Sequence, residues 1–126
     1  MATTVPFKLI TPTQVVFEGD AELVIAVTTE GEEGILPKHA PFLAALRPGV
    51  LRANVLADGA SARLELATSE GFMQALPDRV TVLVDEALRF EDVDVAKTRE
   101  ELAEATKAED RVALDFANAK LRLTGH

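Results

Sequence analysis

The chain has 126 residues, 48% of them apolar, and a formal net charge of −8, so it has room for one ordinary domain with a real core. Six Phe without any Trp or Tyr, together with the acidic balance, argue against direct nucleic-acid binding, which needs stacking aromatics on a positive surface. The lack of cysteine excludes disulfides, thiolate metal sites and a cysteine nucleophile. No apolar run approaches the roughly 20 residues of a membrane helix, so we expect membrane contact only indirectly, through a protein partner.

The first two thirds of the chain have the pattern of short β-strands. All six prolines and six of the seven glycines lie at or before Pro77, and these residues mark turns. Between the turns, apolar residues alternate with others at 23–27, 51–55, 63–66 and 80–84, which is the period of a strand with one face against a core. Many short strands at close spacing predict an antiparallel β-sandwich or barrel.

The last third has helical periodicity. Acidic residues precede the segment 96–105, as suits the positive end of a helix dipole, and a second helix is predicted from Arg111 to Leu123. Glu109-Asp110 is the expected break, with Asp110 as N-cap, although no Gly or Pro rules out one continuous helix. One apolar stripe is expected along the second helix, formed by Val112, Phe116, Ala119 and Leu123.

Residues 30–41 hold two glycines, two prolines, three carboxylates and a histidine within twelve positions. Glu32, Glu33 and His39 are the obvious candidates for general acid–base chemistry. Adjacent carboxylates diverge on a strand, however, no serine stands in a nucleophile motif, and no acid is placed to orient His39. The segment is therefore predicted to be an exposed loop, in which His39 either caps or hydrogen-bonds the turn or belongs to a protein contact, and no catalytic residue is expected.

Metal and phosphate sites are not expected either. The other histidine, His126, is terminal, and the common His or Cys ligand spacings are absent. Asp92 and Asp94 lack the glycine and distal Glu of a calcium loop. Gly31 and Gly34 lead into a strand-like run, whereas a phosphate site needs a glycine-rich turn that enters a helix.

Three motifs carry a family resemblance. The segment from Glu30 to Leu43, followed by Leu46-Arg47-Pro48-Gly49, is close to the pattern EGxxGIxPxHAPLxxxLxPG. A second match is Ser69-Glu70-Gly71-Phe72, in which Glu70 replaces the first glycine of the usual pair, and the third runs from Val80 to Ala87. With these motifs the chain resembles the epsilon subunit of bacterial and chloroplast F-type ATP synthase, the counterpart of the mitochondrial delta subunit.

The resemblance implies a β-sandwich of about ten strands over residues 1–87 and an antiparallel helical hairpin over residues 88–126. It implies a non-catalytic rotor subunit of the central stalk, which links the gamma subunit to the c ring and couples ion flow to ATP synthesis in a proton-translocating complex. Such a subunit is peripheral, on the cytoplasmic face of the bacterial inner membrane. The partner-contact residues that the resemblance implies are Gly31, Glu32, Glu33, Gly34, Lys38, His39 and Pro41.

In this family the hairpin regulates the complex. Extended toward the alpha/beta catalytic head it inhibits ATP hydrolysis, and in some members the folded hairpin binds ATP through a motif like (I/L)-D-x-x-R-A. Here Asp94 is retained, but Lys97 replaces the arginine and Thr98 the alanine. Because a lysine cannot reproduce a bidentate guanidinium, we expect weak or absent ATP binding and no cofactor. Lys120 and Arg122 are the only late basic residues, so inhibition is expected to be weak.

Two other classes of protein remain as alternatives. A stand-alone β-sandwich that binds a sugar or peptide ligand usually displays an aromatic platform, and the lack of Trp and Tyr counts against it. A small hydrolase that uses His39 would need the nucleophile and orienting acid whose motifs are missing.

Overall fold

A computed structural model describes residues 3–125. This part of the chain forms nine strands, a single 3₁₀ turn and two helices. The strands are β1 (Val5–Thr11), β2 (Gln14–Thr28), β3 (Gly31–Ile35), β4 (Phe42–Leu46), β5 (Gly49–Ala57), β6 (Ala60–Thr68), β7 (Gly71–Leu76), β8 (Arg79–Val84) and β9 (Ala87–Arg89). The 3₁₀ turn (Phe90–Asp92) connects them to α1 (Val95–Ala108) and α2 (Arg111–Leu123).

The long strand β2 takes part in both layers of the sandwich. Its first half pairs with β1, and its second half pairs with β3 on one side and β5 on the other. The front layer has the strand order β4-β7-β8-β1-β2, and the back layer has the order β3-β2-β5-β6-β9. The predicted sandwich is therefore confirmed, with nine strands in residues 3–125 where about ten were expected.

One strand pair departs from the antiparallel expectation. β1 and β8 run parallel, with Phe7 opposite Val80 and Leu9 opposite Val82. These strands are far apart in the sequence, so no tight hairpin forces them to be antiparallel. The alternation at 80–84 nevertheless holds, because Val80, Val82 and Val84 all lie on the inner side with at most 1% of their surface exposed.

The core lies between the two layers and is built from alternate residues of the strands, as the period of two predicts. Phe7 and Phe17 are in ring contact there, with their centroids 5.6 Å apart. Burying one such aromatic or large aliphatic side chain contributes about 1.5–3 kcal/mol, so this cluster dominates stability. The largest side chains with less than 2% exposure in it are Phe7, Leu9, Ile35, Leu51, Leu66 and Met73.

The turn into β7 explains the altered glycine pair. A Cβ atom at Gly71 would lie 2.0 Å from the carbonyl oxygen of Leu83 on β8, a distance that no side chain tolerates. Glu70, in contrast, is exposed, so a side chain in place of the first glycine meets no such obstacle. The departure from the family pattern therefore falls at the position that can accept it.

The two helices form the expected hairpin. Asp94 caps α1 by accepting a hydrogen bond from the Lys97 amide, and Asp110 caps α2 by accepting one from the Ala113 amide, each at 3.1 Å. Between the helices, Glu109 adopts a left-handed conformation with φ of 53°. The predicted break and its N-cap are therefore confirmed, and one continuous helix is wrong.

The hairpin packs on the outer face of the back layer through helix α2. Phe116 and Ala119 are buried there against Ala67 of β6, and Val50, Leu88 and Leu123 pack around them. The expected stripe fails at Val112, which is 40% exposed because the first turn of α2 faces the loops around 69–70 and 85–86 rather than a strand. Helix α1 packs mainly on α2.

Candidate partner-binding surface

The segment 30–41 is not one loop. Its first half, Gly31–Ile35, is strand β3, which pairs with the end of β2. The tight turn between them is fixed by Thr28, whose hydroxyl donates to the Gly31 carbonyl at 2.7 Å, and by the φ of +121° at Gly31. The second half is a turn that connects the two layers. The expectation of a single loop is corrected here, because pairing with β2 satisfies the backbone of the glycine-containing part.

Glu32 and Glu33 point to opposite sides of β3. Glu32 lies opposite Val27 on the outer face, where its carboxylate accepts a hydrogen bond from Arg52 Nη2 at 2.7 Å. Glu33 lies opposite Ala26, on the side of the core, and is half-buried at the open edge of the sandwich. The two carboxylates therefore do not form an acid–base pair.

His39 is held within the turn that follows β3. Its amide donates to the Leu36 carbonyl at 3.2 Å, and its Nδ1 lies 2.7 Å from the Ala40 carbonyl oxygen. Because a carbonyl only accepts, Nδ1 carries a proton in this contact. The ring also lies edge-on to Phe42, with centroids 6.0 Å apart. These contacts give His39 a structural part in shaping the turn.

The remaining predicted contact residues are displayed along one edge. Lys38 is exposed and strained, with φ of 65°, and Pro41 is exposed on the same turn. Gly31 and Gly34 lie on β3, which is paired on one side only within the described chain. All seven predicted contact residues thus fall on β3 and its turn, and their role in contacts stays a prediction.

A second candidate surface, on the outer face of the front layer, was not predicted from the sequence. Five apolar residues are direct cross-strand neighbours on the outer face of the front layer, and we refer to them as the apolar row. In order, the row consists of Ala45, Phe72, Leu83, Ile10 and Val15. Phe72, Val15 and Leu83 are 59%, 51% and 47% exposed. Neighbouring exposed apolar side chains of this kind are typical of an interaction site.

Another exposed leucine and a groove with two carboxylates lie next to the apolar row. Leu43, which is 72% exposed, lies on the same face of β4. A groove of about 490 Å³ runs beside Phe72 and Leu83, and the carboxylates of Glu70 and Asp85 line it. The sequence signal for this surface was Leu83 in the run at 80–84, an apolar residue on the opposite side of β8 from the valines.

The residues of the degenerate nucleotide motif lie at the start of α1. The Asp94 carboxylate is engaged as the N-cap, since it accepts from the Lys97 amide. The Lys97 side chain lines a groove together with Glu100, Glu101 and Glu104. Carboxylates around the lysine oppose a polyphosphate electrostatically, which adds to the loss of the arginine.

Residues 3–125 contain no group of three His, Asp or Glu side chains placed to hold a metal ion. Neither helix in that range has the length and apolar character needed to cross a bilayer. His126 lies outside the described residues.

Comparison with known proteins gives a consistent result. The family of the ATP synthase delta/epsilon chain β-sandwich domain matches residues 4–90. An ATP synthase epsilon chain of Chromobacterium violaceum is 39% identical over 113 residues, covering 90% of this chain and 79% of that one. The epsilon chain of Stenotrophomonas maltophilia is 37% identical over 123 residues, covering 96% and 86%.

Solved structures share the fold. A chain of the Euglena gracilis mitochondrial ATP synthase, from an OSCP/F1/c-ring structure, aligns with a TM-score of 0.71 and 21% identity, over 97% of this chain and 78% of that one. A chain of the Tetrahymena thermophila central stalk/c-ring structure aligns with a TM-score of 0.59 and 18% identity, over 94% and 97%.

The sandwich, the helical hairpin packed on it and the exposed apolar row are typical of a β-sandwich subunit of a larger assembly. The matches over most of the chain make the assignment specific: the chain belongs to the ATP synthase delta/epsilon chain family. It is accordingly a non-catalytic subunit of an ATP synthase, and the resemblance read from the sequence motifs is confirmed. The stand-alone binding module and the His39 hydrolase are rejected.

Proposed function

We propose that this chain is a rotor subunit of the central stalk, which links the gamma subunit to the c ring and so couples ion flow to ATP synthesis. The names of its relatives support this role, and so does the fold that it shares with a chain of a central stalk/c-ring structure. The observation that carries the proposal is the apolar row, since a subunit that works alone has no need for a row of exposed apolar side chains across five strands.

The apolar row is the proposed docking face for gamma. Phe72 and Leu83 supply apolar area near its middle, where contacts exclude water best. Glu70 and Asp85 at its border favour basic groups on the partner. The hairpin covers the opposite side of the sandwich, so gamma can bind while the hairpin stays folded.

The edge formed by β3 and its turn is the proposed contact with the c ring. Glu32 remains 59% exposed while it is paired with Arg52, so a basic side chain of a partner can reach it. Pro37 and Pro41 limit the conformational entropy that the turn loses on docking. We expect this contact to set register and specificity more than affinity.

The hairpin is the proposed regulatory part, which contacts the alpha/beta head when it is extended. We divide the chain into residues 1–87 for docking and 88–126 for regulation, with strand β9 completing the sheet at the boundary. ATP and metal ions are not part of the proposed role. The subunit is proposed to be peripheral, on the cytoplasmic face of the bacterial inner membrane, and held there through the complex.

Affinity co-purification tests the proposal. The tagged chain, expressed in its own host and solubilised in mild detergent, is expected to recover a gamma-like subunit together with c subunits. Recovery of neither would overturn the proposal. Recovery of gamma without c subunits would confirm the gamma contact and remove the c-ring contact.

A further inference from the structure

A lysine is buried between the hairpin and the sandwich. Lys120 of α2 is only 6% exposed, although lysine is almost never buried without a partner. Its ammonium donates to Glu101 Oε1 of α1 at 2.8 Å and lies 4.7 Å from the centre of the Phe116 ring. The charge is therefore satisfied by one ion pair and one cation–π contact.

The position of this pair connects two separate contacts. Phe116, which lies under the lysine, belongs to the small cluster that seats α2 on Ala67 of the back layer. Glu101 belongs to α1, which packs mainly on α2. The helix that touches the sheet thus carries the buried cation, and the helix outside it carries the compensating carboxylate.

The energetics of buried charge make this arrangement conditional. Lys120 is the buried member of the pair, with 7% of its side chain exposed, whereas the Glu101 side chain is 46% exposed. Loss of the partner of a buried ion leaves an uncompensated charge, whereas an apolar residue in place of the buried ion is often neutral or stabilising. Packing of α2 on the sheet with Lys120 inside is therefore more favourable when Glu101 is present. Three more carboxylates line the same cleft, those of Glu70, Asp85 and Glu86. Their negative charge lowers the cost of losing Glu101, but the hydrogen bond of the lysine goes to Glu101.

We propose that the Glu101–Lys120 pair is a charge lock that makes the seat of α2 on the sandwich depend on α1. The hairpin then leaves the sheet as one unit, and a basic partner group that draws Glu101 away from Lys120 loosens both helices. This property belongs to the isolated chain, so it goes beyond the docking role and can fail or hold independently of it.

Thiol labelling of the isolated full chain tests the lock, because the native sequence has no cysteine. Ala67 is 0% exposed and lies under α2, so Ala67→Cys reacts with a thiol reagent only when the hairpin lifts. Adding Glu101→Gln is expected to raise the labelling rate about tenfold or more, by leaving the lysine unpaired. Adding Lys120→Met is expected to leave the rate unchanged or lower it, since Met can still pack against the Phe116 ring.

A second cysteine separates local opening from unfolding. Val82→Cys sits in the core between the layers, with 0% exposure, and reports global opening. Its labelling rate is expected to be the same with and without Glu101→Gln. The lock is overturned if Glu101→Gln leaves labelling at position 67 unchanged, if Lys120→Met speeds it as much as Glu101→Gln does, or if both cysteines accelerate together.

Discussion

Replacing Phe72 by alanine is expected to weaken binding to gamma without harming the fold. Phe72 lies on the outer face of the front layer and is 59% exposed, so its ring contributes little to the core of the free subunit. Its neighbours in the apolar row, Ala45 and Leu83, flank it on both sides. In the proposed complex the exposed part of the ring becomes buried against gamma.

The exposed area sets the size of the effect. A phenylalanine offers roughly 200 Å² for burial, and the exposed 59% of that is about 120 Å². At about 25 cal/mol per Å² this area is worth about 3 kcal/mol, of which alanine keeps roughly a third. The loss of about 2 kcal/mol corresponds to a dissociation constant about 30-fold larger.

The assay is a binding titration of immobilised gamma with the wild-type and variant chains, together with a thermal melt of each chain. Phe90→Ala is the matched control, since Phe90 is also 59% exposed but lies in the 3₁₀ turn outside the row. A change in Kd below about threefold for Phe72→Ala, or an equal loss for Phe90→Ala, would contradict a role of the apolar row in binding gamma.

Three further outcomes are expected. Gly71→Ala should lower the melting temperature by about 5–15 °C because the new Cβ would meet the Leu83 carbonyl. Gly34→Ala is the control and should change the melting temperature little, since its Cβ would lie 3.7 Å from the Leu23 side chain. Equal melting temperatures of the two variants would contradict this expectation. Glu32→Lys should reduce coupled ATP synthesis in membrane vesicles. Its melting temperature should stay near that of the native chain, since exposed ion pairs contribute only about 0–1 kcal/mol. Unchanged coupling would show that this carboxylate is inert. Isothermal titration with ATP should give no micromolar isotherm, and a clear one would show that Lys97 suffices.

The sandwich and the hairpin could be predicted because local patterns determine them. The valines of 80–84 alternate with the period of a strand, and Asp110 caps a helix through its own side chain. Such signals involve neighbours in the sequence. The parallel pairing of β1 with β8 has no local signal, because it joins segments about seventy residues apart.

The surfaces were harder to predict for the same reason. The apolar row exists only through the register of five strands, so Ile10 and Leu83 become neighbours only in the folded chain. The segment 30–41 stands out by its composition, but its division into a strand and a turn depends on pairing with β2. The burial of Lys120 depends on the distant Glu101, and a lysine in a helix otherwise predicts an exposed position.

Site-directed photocrosslinking in the assembled complex shows directly which subunit contacts the apolar row. A photoreactive amino acid at Leu83 probes the apolar row, and one at Arg63, an exposed position on β6, serves as the control. Position 83 is expected to crosslink to the gamma subunit, and position 63 is expected not to. Crosslinking of position 83 to any other subunit, or a gamma crosslink from position 63 alone, would contradict the proposed contact with gamma.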